Sequence, residues 1–201
     1  WNFLQHRDGS FDEAYPFERS FAATAFSTFY VSEGITLIEN RLPKKILNRT
    51  MATIRKACTW LQRNTETHGI LSNHIAAGAA ALTSANSFFE DREIEYRIDE
   101  LLNTIFEHQS TEGWYEEYGG PDIGYQTHCL FYLARIWQLR PSTELLNSMR
   151  SACRFSSYFV HLNGTFGGEY MYRNTTFYFP AAFEMLGDKC EYAAAIAEFL
   201  K

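Results

Sequence analysis

Polar and titratable side chains gather at the predicted starts of the most apolar helices. Asn73 and His74 lead into one Ala-rich segment, and Asp122 and Tyr125 begin a later apolar segment. Burying such groups without partners costs on the order of several kcal/mol, so we expect them to converge at one end of the molecule as a functional site. The other members of this set are Asp12, Glu13, Glu18, Arg19, Glu116, Glu117, Glu169, Tyr170, Arg173 and Asn174.

Paired carboxylates in this set give one hypothesis for its chemistry. Inverting glycosidases use two carboxyl groups roughly 6.5–9.5 Å apart. Glu117 with Asp122 is one candidate pair, and Glu13 with Glu18 is another. Structural roles stay open beside this hypothesis, since Glu13 and Glu117 can brace loops and His74 can be a hydrogen-bonded structural histidine.

Composition limits the classes of partner. The chain has 201 residues, 46% of them hydrophobic, and carries 18 basic and 24 acidic side chains for a net charge of −6. We expect no nucleic-acid partner, because phosphate binding requires a basic surface. No run of 18 or more apolar residues is present, so we expect no membrane span.

The four cysteines give no sign of a metal site. They lie far apart, without a C-x-x-C pair and without histidines at metal-ligand spacing. We interpret them as reduced structural thiols, and we expect neither a metal nor a cofactor.

The elements that must position these residues are all helical. Apolar residues recur at three- and four-residue spacing along nearly the whole chain. Pro180 is expected to kink its helix or to mark a late start. The predicted helices are Phe17–Ile38, Lys44–Asn64, Ile70–Phe89, Arg92–Glu107, Asp122–Leu139, Ser142–Val160, Thr175–Leu186 and Asp188–Lys201.

A repeated loop places these helices in hairpins. A glycine followed two residues later by an aromatic or apolar residue recurs at Gly9, Gly69, Gly113 and Gly164, at separations of 60, 44 and 51 residues. Helices that are apolar all round alternate with half-polar ones, which indicates an inner and an outer layer. The pattern predicts a single α/α-toroid domain over residues 1–201, with about four helical hairpins.

Four hairpins are fewer than the six or seven of a usual toroid. The chain opens at Trp1 without a signal peptide, and it closes within an apparently continuing helix. We therefore expect an incomplete ring within a longer protein, with a further domain or chain completing it. The compartment, periplasmic or cytoplasmic, stays open.

Two segments resemble the α/α-toroid polysaccharide lyases of the heparinase II/III and alginate lyase group. Ser72-Asn73-His74 is similar to the Asn-His motif of that group. Glu112-Gly113-x-x-x-Glu117, followed by Gly124-Tyr125, is similar to its Asp-Gly-x-x-x-Glu segment and catalytic tyrosine. The resemblance covers Gly69 to Trp137, and the usual Tyr-His pair here reads Tyr125-Gln126.

The resemblance implies β-elimination at a uronic acid. Asn73 and His74 would then neutralise the substrate carboxylate, and Tyr125 would remove the C5 proton and return it to the leaving oxygen. An unperturbed tyrosine has a pKa of about 10, so Tyr125 would need a nearby cation. The residues expected to bind the substrate are Arg173, Asn174, Glu117, Asp122, Arg19 and Trp114.

Three other functions remain open. The paired carboxylates favour a glycoside hydrolase, whereas the altered Tyr-His pair favours a non-catalytic glycan-binding or assembly toroid. A terpene cyclase or prenyltransferase is less well supported, because no Asp-Asp-x-x-Asp or Asp-x-Asp-Asp cluster is present.

Overall fold

The described residues are all-helical, as predicted. The computed structural model describes residues 1–167, 173–175 and 177–200. Within them it has eight α-helices, one short 3₁₀ helix at Glu39–Arg41 and only isolated β-bridges. The α-helices are α1 (Phe21–Ile38), α2 (Lys44–Arg63), α3 (Ser72–Phe89), α4 (Arg92–Glu107), α5 (Ile123–Leu139), α6 (Thr143–Ser157), α7 (Ala181–Leu186) and α8 (Glu191–Phe199).

Side-chain caps set the starts of several helices. The prediction that α1 begins at Phe17 is wrong by four residues, because Phe17 and Arg19 adopt positive φ values of 66° and 55°. The Ser20 hydroxyl then accepts a hydrogen bond from the Ala23 N–H at 3.1 Å. A serine in this position satisfies a backbone donor that the helix cannot satisfy itself.

The start of the predicted helix Thr175–Leu186 is wrong by six residues, since α7 begins only at Ala181, but its end at Leu186 is confirmed. Residues 177–179 have no regular structure and lie along α5, where the Phe179 N–H donates to the Thr127 hydroxyl at 2.9 Å. This tertiary hydrogen bond replaces an intrahelical one. The late start agrees with the position of Pro180. The last helix, α8, is also shorter than the predicted Asp188–Lys201, and Lys201 lies outside the described residues.

The helices pack in two rows. Along one row, α1 contacts α3, α3 contacts α5, and α5 contacts α7. Each of these helices also contacts the helix that follows it in sequence, and in the second row α2 contacts α4 and α6 contacts α8. Helix α3 is the centre of the first row, and nearly all of its residues from Ser72 to Asn86 are buried. Small residues permit this packing: a Cβ atom on Gly78 would lie 2.7 Å from the Phe21 ring.

Two loops dock on the second row in the same way. The Gln5 amide donates to the Gly9 and Thr53 carbonyls at 3.0 and 2.9 Å. The Gln109 amide likewise donates to the Gly113 and Ser148 carbonyls, both at 3.0 Å. The internal repeat in the sequence is therefore also a repeat of contacts.

Both of these loops require glycine. Gly9 and Gly113 have φ values of 106° and 104°, and a Cβ atom on either would lie 2.3 Å from a helix carbonyl oxygen. Positive φ is readily adopted only by glycine.

One helix in the described part of the chain is long and apolar enough to cross a membrane by length and composition alone. It spans Phe21–Arg41, and 44% of the apolar 18-residue window within it is buried inside the protein. Helix α1, which makes up most of this span, packs against α2 and α3.

Candidate functional site

Glu117 holds the start of α3. The helix has no side-chain cap of its own, and the Glu117 carboxyl accepts hydrogen bonds from the Asn73 backbone N–H at 2.6 Å and the Asn73 amide at 2.8 Å. Burial raises the pKa of Glu117 to about 8, against the opposing effect of these two bonds. The side chains of Asn73 and Glu117 are both buried. Their contacts position His74, the residue that follows Asn73.

Glu66 orients His74. One Glu66 oxygen lies 2.6 Å from His74 Nδ1, and the other lies 2.7 Å from His68 Nδ1 and accepts the His68 backbone N–H at 3.0 Å. Burial opposes ionisation of Glu66, but the bonds from the two histidines outweigh it and lower the pKa to about 2. An ionised carboxylate on Nδ1 fixes the proton there and leaves Nε2 of His74 for another partner.

His128 is a neutral, aromatic-packed histidine near His74. Its ring stacks on Phe179 at 4.1 Å and lies 5.4 Å from Phe26, whose ring is in turn 5.5 Å from His74. Burial, with a smaller contribution from His74, lowers the pKa of His128 to about 4. Nε2 of His128 lies 3.0 Å from the Tyr132 hydroxyl.

Tyr118, in the loop before α5, contacts Arg173. The Arg173 guanidinium lies over the Tyr118 ring at 4.3 Å, and the Tyr125 ring lies 6.2 Å from the Tyr118 ring. Tyr118 has φ of 55°, an uncommon conformation for a bulky residue. Burial raises its pKa, Arg173 opposes that rise, and Tyr118 also lies within the electrostatic influence of Glu66 and Glu117.

Ring contacts connect these residues continuously from His74 to Tyr118. Tyr125 lies 5.4 Å from Phe177, which lies 5.8 Å from Phe179, the stacking partner of His128. We call this series the aromatic arc. Its members come from the first half of α1, the starts of α3 and α5, and two loops; they are Phe26, His74, Tyr118, Tyr125, His128, Phe177 and Phe179. Arg173 lies at one end of the arc.

Asp122 fixes the segment that carries Arg173. Its Oδ1 caps α5 by accepting the Gly124 and Tyr125 N–H groups at 3.1 and 3.2 Å, and it also accepts the Thr175 hydroxyl at 2.7 Å. Its Oδ2 accepts the Arg173 N–H at 3.0 Å. Gly124 permits the approach, since a Cβ atom there would lie 2.2 Å from the Thr175 hydroxyl oxygen.

The other residues expected to bind substrate lie elsewhere or are already engaged. Arg19 forms an ion pair with Asp8 at 3.3 Å, and the Trp114 indole donates to Glu112 at 3.1 Å. Asn174 is exposed on the same segment as Arg173, with φ of 52°. His74 and Tyr125 thus belong to the aromatic arc, Arg173 and Asn174 lie at its end, and Asn73, Glu117 and Asp122 are buried. Glu169 and Tyr170 lie outside the described residues.

The carboxylate pairs of the hydrolase hypothesis brace loops. Glu18 Oε2 accepts the N–H groups of residues 13–15 at 3.0, 2.9 and 3.4 Å, and Glu13 accepts the Ser20 hydroxyl at 2.9 Å. Glu117 and Asp122 are fully engaged with Asn73 and with the Arg173 segment, as described above. Glu13 and Glu18 are exposed but are engaged in these loop contacts, whereas Glu117 and Asp122 are buried.

Sequence reasoning missed Glu66, Tyr118 and His128 as members of this site. Glu66 lies eight residues before His74 (66 to 74) across an irregular loop, a spacing that no helical or strand period brings together. Tyr118 could have been found from its position directly after Glu117. His128 lies one turn after Tyr125 on α5, so helical spacing places both on one face.

No family model, curated protein or solved structure matches the chain. Among the described residues, no group of three or more His, Cys, Asp or Glu side chains is arranged to hold a metal ion.

Proposed function

We propose that the chain forms part of an α/α toroid whose site binds a uronate-containing polysaccharide and cleaves it by β-elimination. The observation that carries the proposal is the aromatic arc with Arg173 stacked on Tyr118 at one end and His74 at the other. Aromatic rings can stack on sugar rings, and a guanidinium can bind a carboxylate through two hydrogen bonds. Together they match the two chemical features of an acidic glycan.

Neutralising the uronate carboxylate is the first requirement of the reaction. In our proposal Arg173 binds the carboxylate, which makes the C5 proton acidic enough to remove, and His74 binds the glycan at the other end of the arc. Asn73 acts indirectly, because its amide donates to Glu117 and thereby helps to fix the start of α3. Glu66 keeps His74 in the required tautomer and orientation.

Proton transfer is assigned to Tyr125. Its deprotonated oxygen takes the C5 proton, the C4–C5 double bond forms, and the bond from C4 to the glycosidic oxygen breaks. The leaving oxygen receives the proton from Tyr125, so the tyrosine returns to its starting state. Arg173 lies over the Tyr118 ring, whose centre is 6.2 Å from that of Tyr125.

The test is the formation of an unsaturated uronate, which absorbs ultraviolet light. The protein is incubated with a panel of uronate-containing glycans while the absorbance is followed. Tyr125→Phe is expected to reduce the initial rate by at least about 100-fold, the usual contribution of a general acid–base. Tyr96→Phe is the matched control, because Tyr96 is exposed and lies away from the site.

Three outcomes separate the alternatives. Full activity of Tyr125→Phe contradicts the assigned mechanism. Release of reducing ends without the absorbance favours a hydrolase, and binding without either signal favours a non-catalytic toroid.

A second substitution tests the role of His74. His74→Gln is expected to reduce activity, and His68→Gln to preserve it, although both histidines contact Glu66. Equal losses in the two variants would show that Glu66 acts only as a structural brace.

A further inference from the structure

A cavity outside the aromatic arc lies between the start of α1 and the end of α2. Its volume is about 350 Å³, near the lower end of the range of about 300–1,000 Å³ that is typical of ligand pockets. None of the residues of the aromatic arc lines it. We call it the Trp60 cavity, after one of its lining residues, and it is large enough for one small ring.

Two aromatic rings form the apolar side of the Trp60 cavity. Trp60, in the last turn of α2, lies 6.4 Å from the ring of Phe21, the first residue of α1, and both line the cavity. Phe21 is buried, whereas Trp60 is only partly buried. The indole is therefore the ring that a ligand can contact, and a flat aromatic ring can pack against the C–H face of a sugar.

An ion pair forms the polar side of the cavity. Arg19 Nε lies 3.3 Å from Asp8 Oδ2, and Asp8 Oδ1 accepts the N–H and the hydroxyl of Ser10 at 3.1 and 2.7 Å. The side chains of Arg19 and Asp8 are 57% and 39% exposed. Both therefore keep hydrogen-bonding groups for a ligand, with the guanidinium as donor and the carboxylate as acceptor.

Asp12 fixes the backbone of Arg19. Its Oδ1 accepts the Arg19 N–H at 2.9 Å, and its Oδ2 accepts the Phe17 N–H at 2.8 Å. These two donors belong to residues with positive φ values of 55° and 66°, which residues other than glycine adopt only where their surroundings hold them there. The loop thus places Arg19 beside Asp8 before any ligand binds.

Neutral polar groups complete the lining. The Asn64 amide nitrogen donates to the Trp60 carbonyl at 2.8 Å, which leaves Asn64 Oδ1 as an acceptor. Thr65 and Thr67 also line the cavity. Neutral donors and acceptors beside an aromatic ring suit a ligand with several hydroxyl groups.

The charged lining residues disfavour an anionic ligand. They are Asp8, Glu18 and Arg19, and the other titratable lining residue, His68, faces Glu66 through its Nδ1 at 2.7 Å. The carboxylates of Asp8 and Glu18 repel a ligand carboxylate. The Trp60 cavity therefore differs from the arc, where Arg173 is the cation.

The internal repeat places a related cavity of about 510 Å³ at the end of α6. The glycines of the two docking loops approach the carbonyls of Lys56 and Ser151. Trp60 and Phe155 each lie four residues after these positions, so they correspond, and Asn64 is matched in the α6 cavity by a phenylalanine. The repeat accounts for the presence of a cavity, whereas the indole and the amide are particular to the Trp60 cavity.

We propose that the Trp60 cavity binds an uncharged sugar ring at a site separate from the aromatic arc. The C–H face of the ring lies on the Trp60 indole. Two neighbouring hydroxyl groups bind the ion pair, one donating to Asp8 and one accepting from Arg19, and a further hydroxyl donates to Asn64 Oδ1. Binding there requires no residue of the arc.

The experiment is saturation-transfer difference NMR on the full chain, with the methyl glycosides of glucose, galactose and mannose as probes. The wild type is expected to transfer saturation to at least one of them. Trp60→Ala should weaken that binding by about tenfold, because the apolar contact with the ring is lost. Phe155→Ala is the matched control, since Phe155 takes the place of Trp60 in the α6 cavity, and it should bind as the wild type does.

A second variant avoids the core, because Trp60 also packs against it. Arg19→Gln changes an exposed side chain and should weaken binding by about tenfold, as expected for the loss of a hydrogen bond from a charged group. Arg154→Gln is its matched control, because Arg154 is exposed and lines the α6 cavity. Circular dichroism confirms that each variant is folded.

The outcomes that would overturn the proposal are distinct from those that concern the arc. They are the absence of saturation transfer from the wild type to all three glycosides, and wild-type affinity in both Trp60→Ala and Arg19→Gln. Loss of the uncharged glycoside in Arg173→Gln would place the sugar at the arc and overturn the separate site. In that same variant methyl glucuronide should bind more weakly than the uncharged glycoside, and equal or tighter binding would overturn the role of the two carboxylates.

Discussion

Asp122 offers the sharpest test of how the site is positioned. Its carboxylate is 1% exposed and accepts four hydrogen bonds, two that cap α5 and two that hold the segment carrying Arg173. Asp122→Asn keeps the capping oxygen, since asparagine is as good an N-cap as aspartate. It replaces Oδ2 by an NH₂ group that faces the Arg173 N–H, so one buried charge-assisted bond becomes a contact between two donors.

The expected cost follows from that single change. A hydrogen bond to a charged group contributes about 1.5–3 kcal/mol, so Asp122→Asn should lower the free energy of unfolding by about that amount. Asp122→Ala also removes the cap, worth about 1 kcal/mol, and the Thr175 bond. It should therefore be more destabilising than Asp122→Asn. Urea denaturation followed by circular dichroism measures both values.

Ser142→Ala is the control, because the Ser142 hydroxyl caps α6 by accepting the Leu145 N–H at 3.1 Å and makes no contact with the Arg173 segment. It should cost about 1 kcal/mol and leave glycan binding unchanged. Asp122→Asn should weaken glycan binding as well as stability. Wild-type stability and binding in Asp122→Asn would refute the reasoning that Asp122 positions Arg173.

Two other predictions concern the loops beneath the site. Glu117 has its pKa raised from 4.5 to about 8, so the folded state binds its proton more tightly and stability should fall as pH rises between about 5 and about 8, by at most about 1.4 kcal/mol per unit. Glu117→Gln should flatten that dependence in urea titrations at several pH values, and an unchanged slope would contradict the assignment. Gly113→Ala should lower the melting temperature strongly, because its Cβ would lie 2.3 Å from the Ser151 carbonyl oxygen. Gly69 also has a positive φ, of 120°, but open space around it, so Gly69→Ala should cost less. Equal losses in the two variants would show that φ alone matters.

Much of the fold was predictable because it depends on local patterns. Helix periodicity gave α2 and α4 nearly to the residue, and the glycine repeat located the loops that dock on the second row. Residues 177–179 were predicted as helix, since their apolar composition does not reveal that the Thr127 hydroxyl accepts the Phe179 N–H, or that Asp122 holds the nearby Thr175 hydroxyl, in a non-helical conformation.

The candidate site was predictable only in part. Asn73, His74 and Tyr125 stand out because polar residues at the starts of apolar helices require partners. The identity of those partners depends on which loops meet in three dimensions, and the pairing of Glu66 with His74 has no regular spacing. The burial of Asn73 and Glu117 also follows from tertiary packing, since nothing local distinguishes a carboxylate that braces a loop from one that faces solvent.

Binding of a uronate oligosaccharide to the wild type and to Arg173→Gln, measured by calorimetry, tests the central claim most directly. Arg49→Gln is the matched control, because Arg49 lies over the Phe3 ring at 4.0 Å as Arg173 lies over Tyr118 at 4.3 Å. We predict that Arg173→Gln weakens binding by about tenfold or more, as expected for a lost charge-assisted contact to a carboxylate, and that Arg49→Gln leaves the affinity unchanged. Equal affinity of the wild type and Arg173→Gln would contradict an acidic glycan site at the aromatic arc.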